Sequence, residues 1–337
     1  MADKLIVGIL GAGRIGQIHA RNLSTNPIIK IKAIADAYAR NMGEFEEAVG
    51  VKITNDPTAI FNDPEIDAVL ICTPTSTHVD YIIKAAEAGK HIFCEKPVSL
   101  SDEETVKAYE AVKKAGVQFQ IGVNRRYDRN FKYVKKLVDE GKVGKLELLR
   151  VDSRDPEAPG LDYVKTSGGL FMDMMIHDFD MARYISGQEI VEVYTQGDAL
   201  VNPDIKDLDV DTAIVNLKFA DGSIGVILNS RRAVYGYDQR LEAFGSEGTA
   251  MVENDLDANV VYATKDGYHS PNPQHFFLER YTQAYIDELN DFAEAVFTNR
   301  ETSVTFDDAI MAQRCAIAAK ESLDLGKPVK VRMIDEK

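Results

Sequence analysis

The sequence predicts a two-domain α/β protein: a doubly wound parallel-sheet domain over residues 1–123, then an α+β domain over 124–337 whose strands run mostly antiparallel. Three observations predict this. Short apolar runs alternate with helical stretches through the first third of the chain. A glycine-rich turn follows the first of those runs directly. After about residue 123 the texture changes to alternating strands joined by hairpin signals. A length of 337 residues is itself about two domains' worth.

The apolar runs are Leu5–Leu10 (LIVGIL), Ile28–Ala35 (IIKIKAIA), Ala68–Cys72 (AVLIC), His91–Cys94 (HIFC) and Val117–Val123 (VQFQIGV). Strands buried on both faces read this way, without alternation, and helical segments between them make βαβ units. Thr77–Ala88 and Asp102–Ala115 are two such helices. Ser101 offers a capping hydroxyl to the second, with acids in its first turn.

In the second half, Thr212–Phe219 alternates as TAIVNLKF, Asp221-Gly222 is a hairpin turn, and Ser223–Asn229 follows. Arg240–Phe244 and Thr249–Val252 flank a second turn at Gly245–Gly248. Helices are expected at about 169–185, 276–297 and 306–325, the last with the option of packing back on the first domain.

Composition excludes several function classes. Lysines and arginines number 39 against 54 acids, a formal net charge of −15. That surface repels phosphate backbones and anionic lipid, so neither nucleic acid nor membrane is an expected partner. Cys72, Cys94 and Cys315 are odd in number and far apart, with neither disulfide nor metal spacing. This fits a reducing cytoplasm. The N-terminus has no signal-peptide pattern, and no run is long and apolar enough to cross a membrane.

Gly11-Ala12-Gly13-Arg14-Ile15-Gly16 is a G-x-G-x-x-G turn between strand and helix. Gly11 permits the tight turn, Gly13 lets backbone approach a pyrophosphate, and Gly16 lets helix and strand pack closely. The helix N-terminus, with Arg14 and Ile15 in its first turn, offers N–H groups to the phosphates. Asp36 ends the second strand 20 positions after Gly16, where a carboxylate holds ribose hydroxyls and repels a 2′-phosphate. NAD is therefore the expected cofactor. Arg40, nearby, leaves tolerance of NADP open. Thr73 and Pro74 follow the third strand and His78 opens the next helix, so all three are placed at the ligand crevice.

Glu95-Lys96-Pro97 follows the fourth strand at the same edge of the sheet. In the second half, Asp173 and His177 stand at i and i+4 in GGLFMDMMIHDFD, on a largely apolar helical stripe. A buried carboxylate and imidazole must pair with each other or meet a polar ligand. A metal shared by His177, Asp173 and Asp178 or Asp180 is the weaker alternative, because the last two point elsewhere on a helix.

With GAGRIG, Asp36, CEKP and GGLFMDMMIHDFDMAR in this order, the chain resembles the glucose–fructose oxidoreductase/inositol dehydrogenase (Gfo/Idh/MocA) family. SRDPEAPGLDYVKTSGGLF and SRRAVYGYDQR resemble its bacterial inositol 2-dehydrogenase branch. The resemblance implies a Rossmann domain and a C-terminal domain with a large sheet, one open face for substrate and the opposite face for dimers and tetramers. It carries catalytic roles onto Lys96, Asp173 and His177. Arg125, Asp155 and Tyr235 are the candidates for gripping ring hydroxyls, with Tyr237 replacing Tyr235 if the strand face is the other one. Ser153–Pro156 departs from other inositol dehydrogenases and bears on which isomer fits.

The implied reaction is NAD-dependent oxidation of a secondary alcohol of myo-inositol to 2-keto-myo-inositol. His177 would be general base, Asp173 its orienter and Lys96 the partner of the reacting oxygen. The alternatives are a dehydrogenase of scyllo-inositol or another polyol, and a non-catalytic NAD(H)-sensing regulator. The latter has no need of the Lys96/Asp173/His177 set.

Overall fold

The computed structural model describes residues 4–334. The chain divides into two compact units. The first holds the chain up to Asn124 together with Gln283–Ile310; the second holds Arg125–Thr282 and the chain from Met311 onward. A single boundary at 123/124 leaves out this return of the chain to the first unit.

The first unit begins β1 (Leu5–Leu10), α1 (Arg14–Ser24), β2 (Ile29–Ala35), α2 (Gly43–Val49), β3 (Ile53–Thr54), α3 (Thr58–Phe61) and β4 (Ala68–Ile71). It continues through α4 (His78–Glu87), β5 (His91–Glu95), α5 (Asp102–Ala115) and β6 (Phe119–Gly122). The strands form a parallel sheet in the order β3-β2-β1-β4-β5-β6. That order reverses between β1 and β4, which opens a crevice at their carboxyl ends. Runs such as AVLI are fully buried, as sheets covered on both faces require. The expected strands all form. β6 is shorter than its apolar run, and a single 3-10 turn, Thr75–Thr77, precedes α4. Ser101 caps α5 by accepting from the Glu104 N–H at 3.4 Å, and Gly116 ends it at φ +67°.

In the second unit lie α6 (Arg129–Asp139), β7 (Leu146–Arg154), α7 (Leu161–Ser167), α8 (Ile176–Ser186), β8 (Ile190–Asp198), β9 (Thr212–Phe219), β10 (Ile224–Ser230), β11 (Asp238–Gly245) and β12 (Gly248–Val252). A small hairpin, β13 (Tyr262–Thr264) with β14 (Gly267–His269), and a short helix α9 (Phe277–Arg280) follow. Next come α10 (Thr282–Thr298), α11 (Phe306–Leu325) and β15 (Val329–Lys330). From Gln283 to its end α10 belongs to the first unit, and its Leu289, Phe292 and Ala293 complete that unit's core with Val7, Ile9, Leu70 and Phe93.

The second unit's sheet has seven strands, in the order β12-β11-β7-β10-β9-β8-β15. Among the described residues of this sheet, only β7 and β10 pair in parallel. On one face Leu149, Val151 and Ser153 of β7 are buried; on the other, Phe244, Leu148 and Ile224 stand side by side across three strands and are exposed.

Candidate active site

The glycine turn has the geometry its spacing demands. Gly11 sits at φ +98°, and a Cβ there would lie 2.7 Å from the Cys72 carbonyl oxygen. A Cβ on Gly16 would come within 2.0 Å of the Gly11 oxygen, whereas Gly13 faces open space. Gly13 is the N-cap of α1 and adds no side-chain cap, and the first turn, with Arg14 and Ile15, carries no acid. The helix dipole and its N–H groups therefore face outward for a pyrophosphate. Asp36 is fixed at the end of β2: its Oδ2 accepts from the Ala12 N–H at 2.7 Å and its Oδ1 from the Tyr38 N–H at 2.8 Å. These residues fit a dinucleotide with a free ribose diol.

Around the crevice edge, the Thr73 hydroxyl accepts from Thr77 at 2.7 Å, and Pro74 is exposed. His78 departs from expectation. It is buried, and its two ring nitrogens lie 2.8 Å from the carbonyls of Pro97 and Thr73. Both nitrogens are thus engaged by backbone. His78 braces the loops that carry Thr73 and Lys96 and turns neither nitrogen toward a cofactor. Burial pushes its pKa down, against the pull of those carbonyls. Glu95 ends β5, and its carboxylate meets His19 Nε2 at 2.7 Å. Lys96, half-buried, follows and leads into a cis peptide bond with Pro97.

In the second unit the segment read as one helix is two. Leu170–Met175 is a wide π turn, and regular helix begins only at Ile176. Gly169, at φ +75°, lets Asp209 approach so closely that a Cβ would sit 2.6 Å from its Oδ1; Asp209 Oδ2 then accepts from the Leu170 N–H at 2.9 Å. Such turns recur at functional sites because they re-aim side chains. Asp173 lies within the π turn, and His177 in the first turn of α8.

Arg231, just past β10, is the residue sequence reasoning missed. Its guanidinium donates to Asp173 Oδ2 at 2.8 Å and to Asp155 Oδ2 at 3.0 Å. Burial works against the charge of Arg231, but Asp173 and Asp155 outweigh it and hold it more firmly protonated than a free guanidinium. Burial raises the pKa of Asp155; Arg231 opposes this and Asp173 adds to it. Tyr163 of α7 donates to Asp173 Oδ1 at 2.9 Å. The signal for Arg231 was its place straight after a core strand, in SRRAVYGYDQR.

Arg125 is fully buried and pairs with Asp178, whose other oxygen accepts from Asn229 at 2.9 Å. Arg126 grips Asp180 with two bonds, of 2.9 and 2.7 Å. Asp178 and Asp180 are therefore counter-ions of arginines. The two candidate tyrosines sit in different surroundings. Tyr235 lies in a turn, is 41 % exposed and donates to Asp238 at 2.6 Å. Tyr237 is buried, edge-on to Tyr281 and Phe276, and its electrostatic neighbours are Arg125, Tyr281, Asp155 and Asp178. The strand begins only at Asp238, so strand parity does not govern residue 235. A correction concerns the faces of the sheet. Ser153, Asn229 and Gln239 form a buried polar row on its covered face, beneath Asp178 and Arg125, so the candidate site grows from that face and not from the open one.

The glycine-cradled N-terminus of α1, with an acid fixed at the end of β2, has the make-up of a dinucleotide site, and the class it defines is an NAD-dependent oxidoreductase. Family models agree: residues 5–123 match the "Oxidoreductase family, NAD-binding Rossmann fold" and residues 131–251 the "GFO/IDH/MocA C-terminal domain". The chain belongs to the Gfo/Idh/MocA family. It is 51 % identical to an uncharacterized oxidoreductase, YrbE, of Bacillus subtilis over 98 % of each chain. It is 46 % identical to the myo-inositol 2-dehydrogenase of Thermotoga maritima, over 97 % of this chain and 99 % of that one. Its fold matches the crystal structure of scyllo-inositol dehydrogenase from Lactobacillus casei with bound NAD(H) and scyllo-inositol. There the TM-score is 0.91 and the identity 30 %, over 98 % of this chain and 99 % of the other. Among the described residues no helix is long and apolar enough to cross a membrane.

Proposed function

We propose that this chain is an inositol 2-dehydrogenase that oxidises the secondary alcohol of myo-inositol to 2-keto-myo-inositol. The observation that carries the reading is the guanidinium of Arg231 joining Asp173 to Asp155. It fixes one carboxylate of the implied catalytic set and sets a second, Asp155, where it can accept from ring hydroxyls. When bound, NAD⁺ supplies the hydride acceptor. His177 takes the hydroxyl proton as the C–H hydride leaves, so the carbinol loses two electrons and two hydrogens and becomes the ketone. Asp173, immobilised by Arg231 and Tyr163, orients the imidazole and offsets its new charge. Lys96 donates to the reacting oxygen as negative charge grows there. Tyr237 and Arg125 shape the pocket from behind rather than grip the ring.

The myo-inositol relative at 46 % identity supports this substrate. The scyllo-inositol-bound structure supports the second reading, the same chemistry on scyllo-inositol. NADH absorbance with a panel of inositols and sugars separates the two, with NAD⁺ and NADP⁺ in parallel. A panel without turnover would favour the sensing reading and sink this one. In the same assay, Asp36→Ala is expected to shift the NAD⁺/NADP⁺ ratio of kcat/KM toward NADP⁺ by about 10–100-fold, the worth of a charged hydrogen bond. An unchanged ratio would count against the ribose role of Asp36. The exposed Phe244–Leu148–Ile224 row supports a homo-oligomer, a tetramer by family resemblance; light scattering on Phe244→Lys tests it.

A further inference from the structure

Beneath Lys96 the first unit buries a group of ionisable side chains that the proposed reaction does not use. His19 of α1, Glu95 of β5 and Glu288 of α10 each bring one ligating atom within 4.8 Å of the others. His19 and Glu288 are fully buried. Neither carboxylate oxygen of Glu288 meets a hydrogen-bond partner, although its backbone carbonyl accepts from the Gln120 amide at 2.8 Å. Gly122, paired with Glu95 across the sheet, makes the room: a Cβ there would lie 3.2 Å from the Glu95 carboxylate. Around the cluster stand Cys72 and Cys94, both thiols pushed up by burial, His78, which feels the Glu95 carboxylate, and the rings of Phe93 and Tyr285, set edge-on to His19 at 5.5 and 5.6 Å.

Two carboxylates this close, in surroundings this dry, do not both ionise. An ionised buried carboxylate without partners is costly enough that it takes up a proton instead. Glu288, buried with no partner for either oxygen, is the one that holds the proton. Burial first, and the Glu95 charge second, push the Glu288 carboxyl well above the ordinary glutamate range.

We propose that His19 and Glu288 are positioning residues for Glu95: His19 holds its carboxylate at hydrogen-bond distance, and Glu288, kept neutral, fills the space beside it without adding a second charge, so that together they fix the backbone that delivers Lys96. The loop is then held from two sides, by His19 at Glu95 and by His78 at Pro97, each at hydrogen-bond distance. The role toward Lys96 rests on the functional reading above; the proton on Glu288 does not.

The test compares wild type with Glu288→Gln, which copies the neutral carboxyl, and Glu288→Ala, which leaves a hole. Glu288→Ala is expected to lower kcat by about 10–100-fold, the scale of loss for a misplaced catalytic group. Its NADH affinity by calorimetry stays near wild type, and Glu288→Gln recovers most of the lost turnover. Infrared difference spectra should show the carbonyl stretch of a protonated carboxyl in wild type at pH 7.5 and not in Glu288→Gln. The sign of the pH effect follows from the raised value. Folding takes up a proton, so stability present in acid is lost as pH rises toward the folded-state value. The melting temperature of wild type therefore falls relative to Glu288→Gln between pH 6 and pH 9. Parallel melting curves, no protonated band, or a Glu288→Gln variant as impaired or unfolded as Glu288→Ala would each overturn the proposal. If wild type oxidises no polyol, the functional reading fails alone, and the spectra and melting curves still decide the cluster.

Discussion

Replacing His177 with Ala is expected to lower kcat/KM for inositol by about 10²–10⁴-fold, the usual contribution of a positioned general base. The acid limb of the pH profile should vanish with it, because the group whose deprotonation gates the reaction is gone. NADH binding should persist, since the glycine turn and Asp36 lie in the other unit. Lys96→Ala should cut turnover by about 10²–10³-fold through loss of the donor to the reacting oxygen, while leaving the acid limb in place. Near-wild-type turnover in either variant, with cofactor affinity intact, would refute the assignment. The contrast between the two pH profiles separates proton removal from charge stabilisation, which a single loss of activity does not.

The largest loss of stability is expected at Asp178. It is fully buried, pairs with Arg125 and accepts from Asn229. Burial raises its pKa, and Arg125, Asn229 and Ser153 act the other way. Asp178→Ala leaves the Arg125 charge buried without a counter-ion, which costs about 3–5 kcal/mol. For a unit of this size that is a fall of roughly 6–20 °C in Tm. Arg125→Met combined with Asp178→Leu should recover much of it, because a buried ion pair is worth little more than an apolar pair of the same volume. Thermal melts of the three chains check this; a single variant within 2 °C of wild type would refute the prediction.

Most of the fold was legible in the sequence because period and punctuation are local. Five of the apolar runs became strands of the first sheet, Ser101 began its helix, and both hairpins formed where the turn residues stood. The candidate residues at the sheet edge were legible for a related reason. Strand ends and helix starts put Asp36 and Lys96 at an edge before any tertiary contact is known. What escaped depends on contacts between distant residues. Arg231 acquires meaning only when β10 lies beside β7 and brings it to Asp155. The π turn follows from Asp209 closing on Gly169, some 40 positions away. His19 and Glu288, separated by most of the chain, look like ordinary helix residues until packing removes their water. The choice between Tyr235 and Tyr237 could not rest on strand parity, because the strand begins only at Asp238.

The late return of α10 has a consequence for biosynthesis. Leu289, Phe292 and Ala293 are core residues of the unit that begins at the amino terminus. On the ribosome, the strands and helices before Asn124 emerge long before the segment that seals them. A nascent or truncated chain ending near that point presents an uncovered oily flank, and a tag or split point placed there yields a sticky half-molecule instead of a free-standing nucleotide-binding module.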